Sequence, residues 1–336
     1  MTHYCGIDLH SNNHVVVVID EEDKRVFEKR LNNDLSLTLK ALSPYRKTLQ
    51  SIAVESTFNW YWLVDGLQAQ GYDLKLVNTA AVPQYDGLKY SGDHHDAFHL
   101  AHLMRLGILP TGYIYPKEQR AIRDLLRRRL SLVRAASKQL ISVQSQIWRS
   151  TGIRVSSNEL RKPEFAPPPV DNYTRQAIQA GLAVYQATQR EIDALEQSAH
   201  QAVKLTPAFE ILQTISGIGK ILGLTIMLET GDIHRFARPG NFASYCRCVD
   251  SKRTSNGKKK GEGNAKAGNK YLSWAFSEAA HFCVRFEPLA QRFYARKEAK
   301  TNGIIAIRAV ARKLARATWM ILKHQVPYDA RRMFPG

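Results

Sequence analysis

The sequence predicts an α+β protein: a mixed sheet with helices at the front, a long helical, coiled-coil-like region behind it, and a mainly α part at the end. Three observations predict it. Residues 3–31 hold three closely spaced runs, HYCGID, HVVVVID and RVFEKRL, the middle one β-branched, and their spacing suggests an antiparallel meander. Helical apolar spacing and a short buried-type strand then alternate. From Glu118 to Arg149 the helical pattern is almost continuous, and a second long stretch follows a proline-rich break.

Taken in order, LSLTLKALSPY reads as a helix, SIAVEST as a strand, WYWLVDGLQAQG as a helix ending at Gly71, and DLKLVN as a strand. A helix then begins near Asp93, in SGDHHDAFHLAHLMRLG. The order of three strands, helix, strand, helix, strand, helix excludes a doubly wound parallel sheet. In the long helix Ile122, Leu125, Leu126, Leu130, Val133, Leu140, Ile141 and Ile147 form an apolar stripe, with Arg127, Arg128, Arg129 and Arg134 on the other faces. The break KPEFAPPPVDN at 162–172 cannot be regular helix. Two long helices joined by a turn suggest an antiparallel hairpin, an intramolecular linker, or arms that pair with another protomer.

Thr206 begins the last part. LQTISGIGKILGLTIMLETGDI places Gly217 and Gly219 between two apolar helices, as in a helix-hairpin-helix, where the N–H groups ahead of Lys220 can hold a phosphate. The segment SKRTSNGKKKGEGNAKAGNK, 251–270, has no apolar residue larger than alanine and reads as an exposed loop. A basic helix with a strongly apolar face, IIAIRAVARKLARATWMILKH, follows near the end. The expected domains are 1–112, 113–205 and 206–336, in keeping with a chain of 336 residues that exceeds the usual single core.

Charge narrows the function. The chain carries 48 Lys+Arg against 30 Asp+Glu, a net of +18, and residues 1–110 hold only 10 basic against 13 acidic side chains. The excess therefore belongs to the remainder, as in a catalytic module joined to a nucleic-acid grip. Cys5, Cys246, Cys248 and Cys283 lack the spacing of a disulfide framework or a zinc site. With no signal-like start and no apolar run long enough for a membrane, a reducing cytosolic setting is expected.

Two carboxylates sit where carboxylates are costly: Asp8 inside the first strand and Glu55 at the end of SIAVE. If those strands are neighbours, the two project side by side. Asp93 and Asp96, three apart at a helix start, share a face and complete a group of four. Four converging carboxylates repel one another without cations, and hard oxygen ligands suit Mg2+ or Mn2+. His95 and His99 at i and i+4, with His94 and His102 nearby, raise zinc as a rival, but no further ligands converge.

This order of strands with Asp, Glu, Asp and Asp resembles the RNase H superfamily, in particular the RuvC-like resolvases. GID at 6–8, VES at 54–56, GDHHDA at 92–97, ISGIG at 215–219, GDIHRF at 231–236, NFASY at 241–245, and SNGKKKG followed by KAGNKYL together resemble the DEDD transposases of the IS110 insertion-sequence family, relatives of the Piv invertase. The resemblance implies Asp8, Glu55, Asp93 and Asp96 as a metal-binding tetrad. It also implies a serine nucleophile where the family shows Ser-Gly before a basic stretch. Here Asn256 intervenes, so Ser255 is the assignment, with Ser251 and Thr254 as competitors.

The implied activity is DNA cutting and rejoining through a phosphoserine, on donor and target DNA, guided by a noncoding bridge RNA. It further implies a homo-oligomer, a dimer or a dimer of dimers, associated with the bacterial nucleoid while active. Nucleic-acid contacts are expected from Gly217, Gly219, Lys220, Lys252, Arg253, Lys258, Lys259, Lys260, Lys266, Lys270, Arg127, Arg128 and Arg129. Three rivals remain: a RuvC-like endonuclease that uses water as nucleophile, an actin-like sugar or acyl kinase, and a noncatalytic nucleic-acid binder. The kinase is disfavoured because Leu9 and His10, not small residues, follow Asp8. The binder leaves the strand carboxylates unexplained.

Overall fold

The computed structural model describes residues 1–82, 92–202, 207–249, 253–261 and 267–335. They form two compact units, Met1–Lys117 and Glu118–Gly336.

The first unit contains β1 (His3–Leu9), β2 (Asn13–Ile19), β3 (Arg25–Asn32), α1 (Leu35–Leu42), β4 (Leu49–Glu55), α2 (Tyr61–Ala69), β5 (Leu74–Val77) and α3 (Asp93–Arg105). The first three strands form the antiparallel meander; β4 then pairs parallel to β1, and β5 parallel to β4. The resulting order, β3-β2-β1-β4-β5, is that of an RNase H-like domain. Alternation along the strands sorts the two faces. Cys5, Ile7, Leu9, Ile52 and Val54 pack with Leu42, Leu63, Val64 and Leu67 of α1 and α2. On the opposite face Val15, Val17 and Ile19 pack with Ala97 and Ala101 of α3, and Ala53 and Val77 with Leu100. The run of valines in β2 is buried on both faces for this reason.

Gly6 lets α3 lie directly on the sheet, because a Cβ there would overlap the Ala97 carbonyl. Polar ties reinforce this docking. Arg105 Nε donates to Asp23 Oδ1 at 2.6 Å, His102 Nδ1 lies 2.9 Å from the same oxygen, and His94 Nδ1 lies 2.6 Å from Glu28 Oε1. These histidines hold a helix in place; among the described residues they belong to no metal-like cluster. Helix α2 stops at Ala69, and Gly71 turns the chain with φ 75.

The second unit is mainly helical. Its elements are α4 (Lys117–Thr151, starting at the boundary), α5 (Ser157–Leu160), α6 (Asn172–Ala202), α7 (Pro207–Gln213), α8 (Lys220–Thr230), α9 (Pro239–Tyr245), β6 (Arg253–Ser255), β7 (Lys258–Gly261), α10 (Lys270–Phe286), α11 (Pro288–Glu298), α12 (Gly303–His324) and α13 (Ala330–Met333). Helices α4 and α6 pair antiparallel within the chain. Leu140, Val143 and Ile147 pack with Ile178, while Leu126 clusters with Ala199. Gly181 makes room for the Val143 side chain, and Arg129 Nη2 meets Glu196 Oε1 at 2.6 Å.

Ile141 departs from the expected stripe: it is 60% exposed, while Leu126, Leu130, Ala136, Leu140, Val143 and Ile147 are buried. A seam repeating about every 3.5 residues takes Leu140 and turns its immediate neighbour outward.

A second core gathers Phe242, Leu272, Phe276, Ala279, Leu314 and Trp319, with Trp319 Nε1 donating to the Phe236 carbonyl at 3.0 Å. Gly217, at φ 95, abuts the Ala279 carbonyl of α10. The segment expected as a plain loop contains a β-hairpin, β6 paired antiparallel with β7. Asn256 and Gly257 both have positive φ, 50 and 71, as a two-residue type I′ turn requires. All four cysteines are free and buried, and among the described residues no helix is long and apolar enough to cross a membrane.

Candidate metal centre and nucleophile hairpin

Asp8 and Glu55 stand at the C-terminal ends of two adjacent parallel strands, one step beyond the paired Ile7 and Val54. Because Ile7 and Val54 face α1 and α2, Asp8 and Glu55 face α3. Helix α3 brings Asp93 and Asp96 to the same place in its first turn. Asp8 is 4% exposed, Glu55 and Asp93 are half-buried, and Asp96 is exposed.

Electrostatics records the crowding. Burial, the hydrogen-bonded Asp8 carboxyl and the nearby Asp96 together push Glu55 up to about 8. Glu55 therefore keeps its proton at neutral pH, beside the Asp8 carboxyl. Asp93 goes the other way: the Arg30 guanidinium donates to it at 2.6 Å and, with His10, holds its carboxyl below the usual range.

His10 was not among the expected site residues. Its Nε2 lies 3.1 Å from Asp8 Oδ2 and 3.3 Å from Asp93 Oδ2. Among the described residues, Asp8, His10 and Asp93 are the group whose donor atoms could hold one ion together. Alternation along β1 was the available signal, since Asp8 and His10 are two apart. Arg30 reaches the site from β3 and carries no local signature. A carboxylate-rich set with one imidazole fits Mg2+ or Mn2+ better than the sulfur and nitrogen sets typical of structural zinc.

Ser255 is the last residue of β6, exposed, and paired across the hairpin with Lys258. Lys258 and Lys260 are exposed on β7. Thr254 is exposed one residue earlier. Ser251, Lys252 and Lys266 lie outside the described residues, as do the side chains of Arg253 and Lys259. The extra Asn256 has a physical meaning, because Asn-Gly is a favoured type I′ pair and places Ser255 at the mouth of a tight turn.

The remaining expected contacts fall in different settings. Gly219 caps α8, and Lys220 is exposed as its first residue. Lys270 begins α10, with its Nζ 5.2 Å from the Tyr271 ring centre. Arg128 is exposed, whereas Arg127 and Arg129 are engaged inside the unit by Glu229 and Glu196.

An RNase H-like sheet with two strand carboxylates faced by an acidic helix start defines the DEDD class of domain. Residues 5–148 match the DEDD transposase model of the IS110 family, and residues 209–295 match the transposase model of the IS116/IS110/IS902 family. By both domains the chain belongs to the IS110-family transposases. It is 24% identical over 259 residues to y4qE of Sinorhizobium fredii, a protein described by name as a transposase, covering 76% of this chain and 65% of that one. It is also 24% identical over 140 residues to the uncharacterized 43.6 kDa protein of insertion element IS110 from Streptomyces coelicolor, covering 41% of this chain and 34% of that one. The chain thus spans just under two thirds of the first relative and about a third of the second.

Proposed function

We propose that this chain is the transposase of an insertion sequence, a DNA recombinase that cuts and rejoins strands through a covalent phosphoserine at Ser255. The observation that carries the reading is the convergence of Asp8, Glu55 and Asp93, with Asp96 close enough to act on Glu55, at one edge of the RNase H-like sheet. The exposed, basic hairpin bearing Ser255 supplies the second half of the argument.

Asp8, Glu55, Asp93 and Asp96 would hold Mg2+ or Mn2+, which supplies charge to polarise a scissile phosphodiester. The Ser255 hydroxyl attacks phosphorus, the bond to the departing deoxyribose oxygen breaks, and the serine proton passes to that oxygen through solvent. The new phosphoserine bond conserves the energy of the old one. Rejoining is the same exchange in reverse, with the hydroxyl of a second strand displacing serine. Lys258 and Lys260 offset phosphate charge, and Lys220, Lys270 and Arg128 extend sequence-independent contact over the basic second unit.

Recognition in this reading is delegated to a bridge RNA that pairs with donor and target, while the protein reads backbone and shape. The working form is a homo-oligomer, a dimer or a dimer of dimers, acting in the cytoplasm on nucleoid DNA. Three functional parts follow: 1–112 for the metal, 113–205 for assembly, and 206–336 for the nucleophile and grip.

The test incubates the protein with RNA transcribed from its flanking noncoding DNA, labelled donor and target, and Mg2+. Adducts that survive detergent are then compared between wild type and Ser255→Ala. An RNA-dependent adduct lost in the variant is the expected result. Cleaved DNA without an adduct in either protein overturns it and favours hydrolysis with water as nucleophile.

A further inference from the structure

The proposed chemistry leaves one buried polar network unused. Glu229, in the last turn of α8, is 2% exposed. Its carboxylate accepts from Arg123 Nε at 3.1 Å, from Arg127 Nε and Nη2 at 2.5 and 2.8 Å, and from Asn269 Nδ2 at 2.7 Å. Burial alone would raise this carboxyl, yet the arginines and Asn269 outweigh it and hold it below its ordinary value. A buried ion pair is a poor source of net stability, because desolvation offsets attraction and apolar side chains would fill the same space more simply. The arrangement therefore calls for an explanation in geometry.

The network joins two places. Arg123 and Arg127 are one turn apart on α4, the long hairpin helix. Asn269 lies at the foot of the Ser255 segment. Its Oδ1 accepts from Tyr271 N at 2.8 Å and Leu272 N at 3.1 Å, capping α10, and its own N donates to the Tyr245 carbonyl at 2.6 Å. Arg247 Nε donates to the Ala267 and Gly268 carbonyls, both at 3.1 Å. The two ends of the segment carrying β6 and β7 are thus fastened together at 245–247 and 267–269. Arg127 also lies over the Tyr271 ring at 4.3 Å, a second fastening to the same turn.

We propose that Glu229 is a positioning residue that fixes the root of the segment carrying Ser255 to α4, so that the helical hairpin sets the point from which the nucleophile reaches out. This rests on the reading of Ser255 as nucleophile, and the test separates the two. Asn269→Ser keeps a good helix cap but is too short to bridge to Glu229, so it removes the link and spares α10. Glu229→Gln keeps the shape and removes the charge.

Hydrogen exchange on the full chain without DNA reads the root directly, and adduct formation reads the consequence. In both variants the amides at 267–272 should exchange about tenfold faster, the scale of one lost buried hydrogen bond, while α12 is unchanged. The adduct rate should fall with DNA affinity unaltered, and Arg127→Lys, which keeps charge but loses the bidentate fork, should fall in between. Unchanged exchange at the root in Asn269→Ser overturns the proposal, as does a loss of adduct matched by an equal loss of DNA affinity. If the root loosens but wild type forms no adduct, the role assigned to Ser255 fails, and with it the positioning of a nucleophile.

Discussion

Gly6 of β1 and Ala97 of α3 meet backbone to backbone, with no space between them for a methyl group. Gly6 is two residues before Asp8, and Ala97 follows Asp96, so this contact sets how closely the two halves of the candidate metal centre approach. Gly6→Ala should destabilise the first unit by about 1–3 kcal/mol, the range for overpacking a tight interior. It should also weaken Mn2+ binding. Thermal melts and calorimetric titration with Mn2+ check both; a variant with wild-type melting and affinity would show that α3 docks without regard to this contact.

Glu55 makes the stability of the metal-free protein depend on pH. Its ordinary value is 4.5 and its folded value is raised to about 8, so its contribution is fully present below 4.5 and is lost as pH rises toward 8. Asp8 and Asp96 face it and give the same sign, since ionising Glu55 adds a charge between them. The melting temperature without divalent ions should fall across this window, and added Mg2+ should restore more at pH 8 than at pH 6. Glu55→Gln should flatten the profile.

On the proposed function, Arg30 and a divalent ion would compete for Asp93. The pair is partly exposed, with side chains 45% and 35% accessible, so its worth is that of a surface ion pair, about 1 kcal/mol at most. Arg30→Ala should tighten Mn2+ binding severalfold. A weaker affinity would mean that Arg30 holds Asp93 in the position the ion needs.

The turn at Asn256 and Gly257 offers a test of the hairpin without touching a polar group. Open space surrounds the position a Gly257 side chain would take, so Gly257→Ala is opposed only by backbone conformation, at about 1–2 kcal/mol. Exchange of the amides in β6 and β7 should quicken and the adduct rate should fall. Overall melting should stay as in wild type, because Thr254, Ser255, Lys258 and Lys260 are exposed and bury no core.

Legibility in the sequence followed how local each cause was. Asp8 and Glu55 stood out because a charge inside an apolar strand needs a reason, and the meander, the long helices and the acidic helix start each have short-range patterns. Asn-Gly at 256–257 was equally local and announced a hairpin, but the surrounding lysines and glycines read as plain loop. His10, Arg30 and Glu229 were of another kind. Glu229 sits in LETGD, which looks like an ordinary helix end, and only the packing of α4 beside α8 reveals it as buried. Ile141 was misplaced because a stripe of neighbouring apolar residues cannot say which one the partner helix will take.

The pairing of β1 with β4 and the late arrival of α3 also govern the timetable of synthesis. In a growing chain Asp8 leaves the ribosome ahead of its partners, and it has none of them until Glu55 and then Asp93 have followed. Ser255 comes far later still, at about 5–20 residues per second. A growing chain thus carries one aspartate of the candidate metal centre for seconds before it carries the rest, and longer before it carries the serine. Interrupted translation, on the proposed chemistry, yields fragments that hold the four carboxylates but lack the serine that attacks a strand.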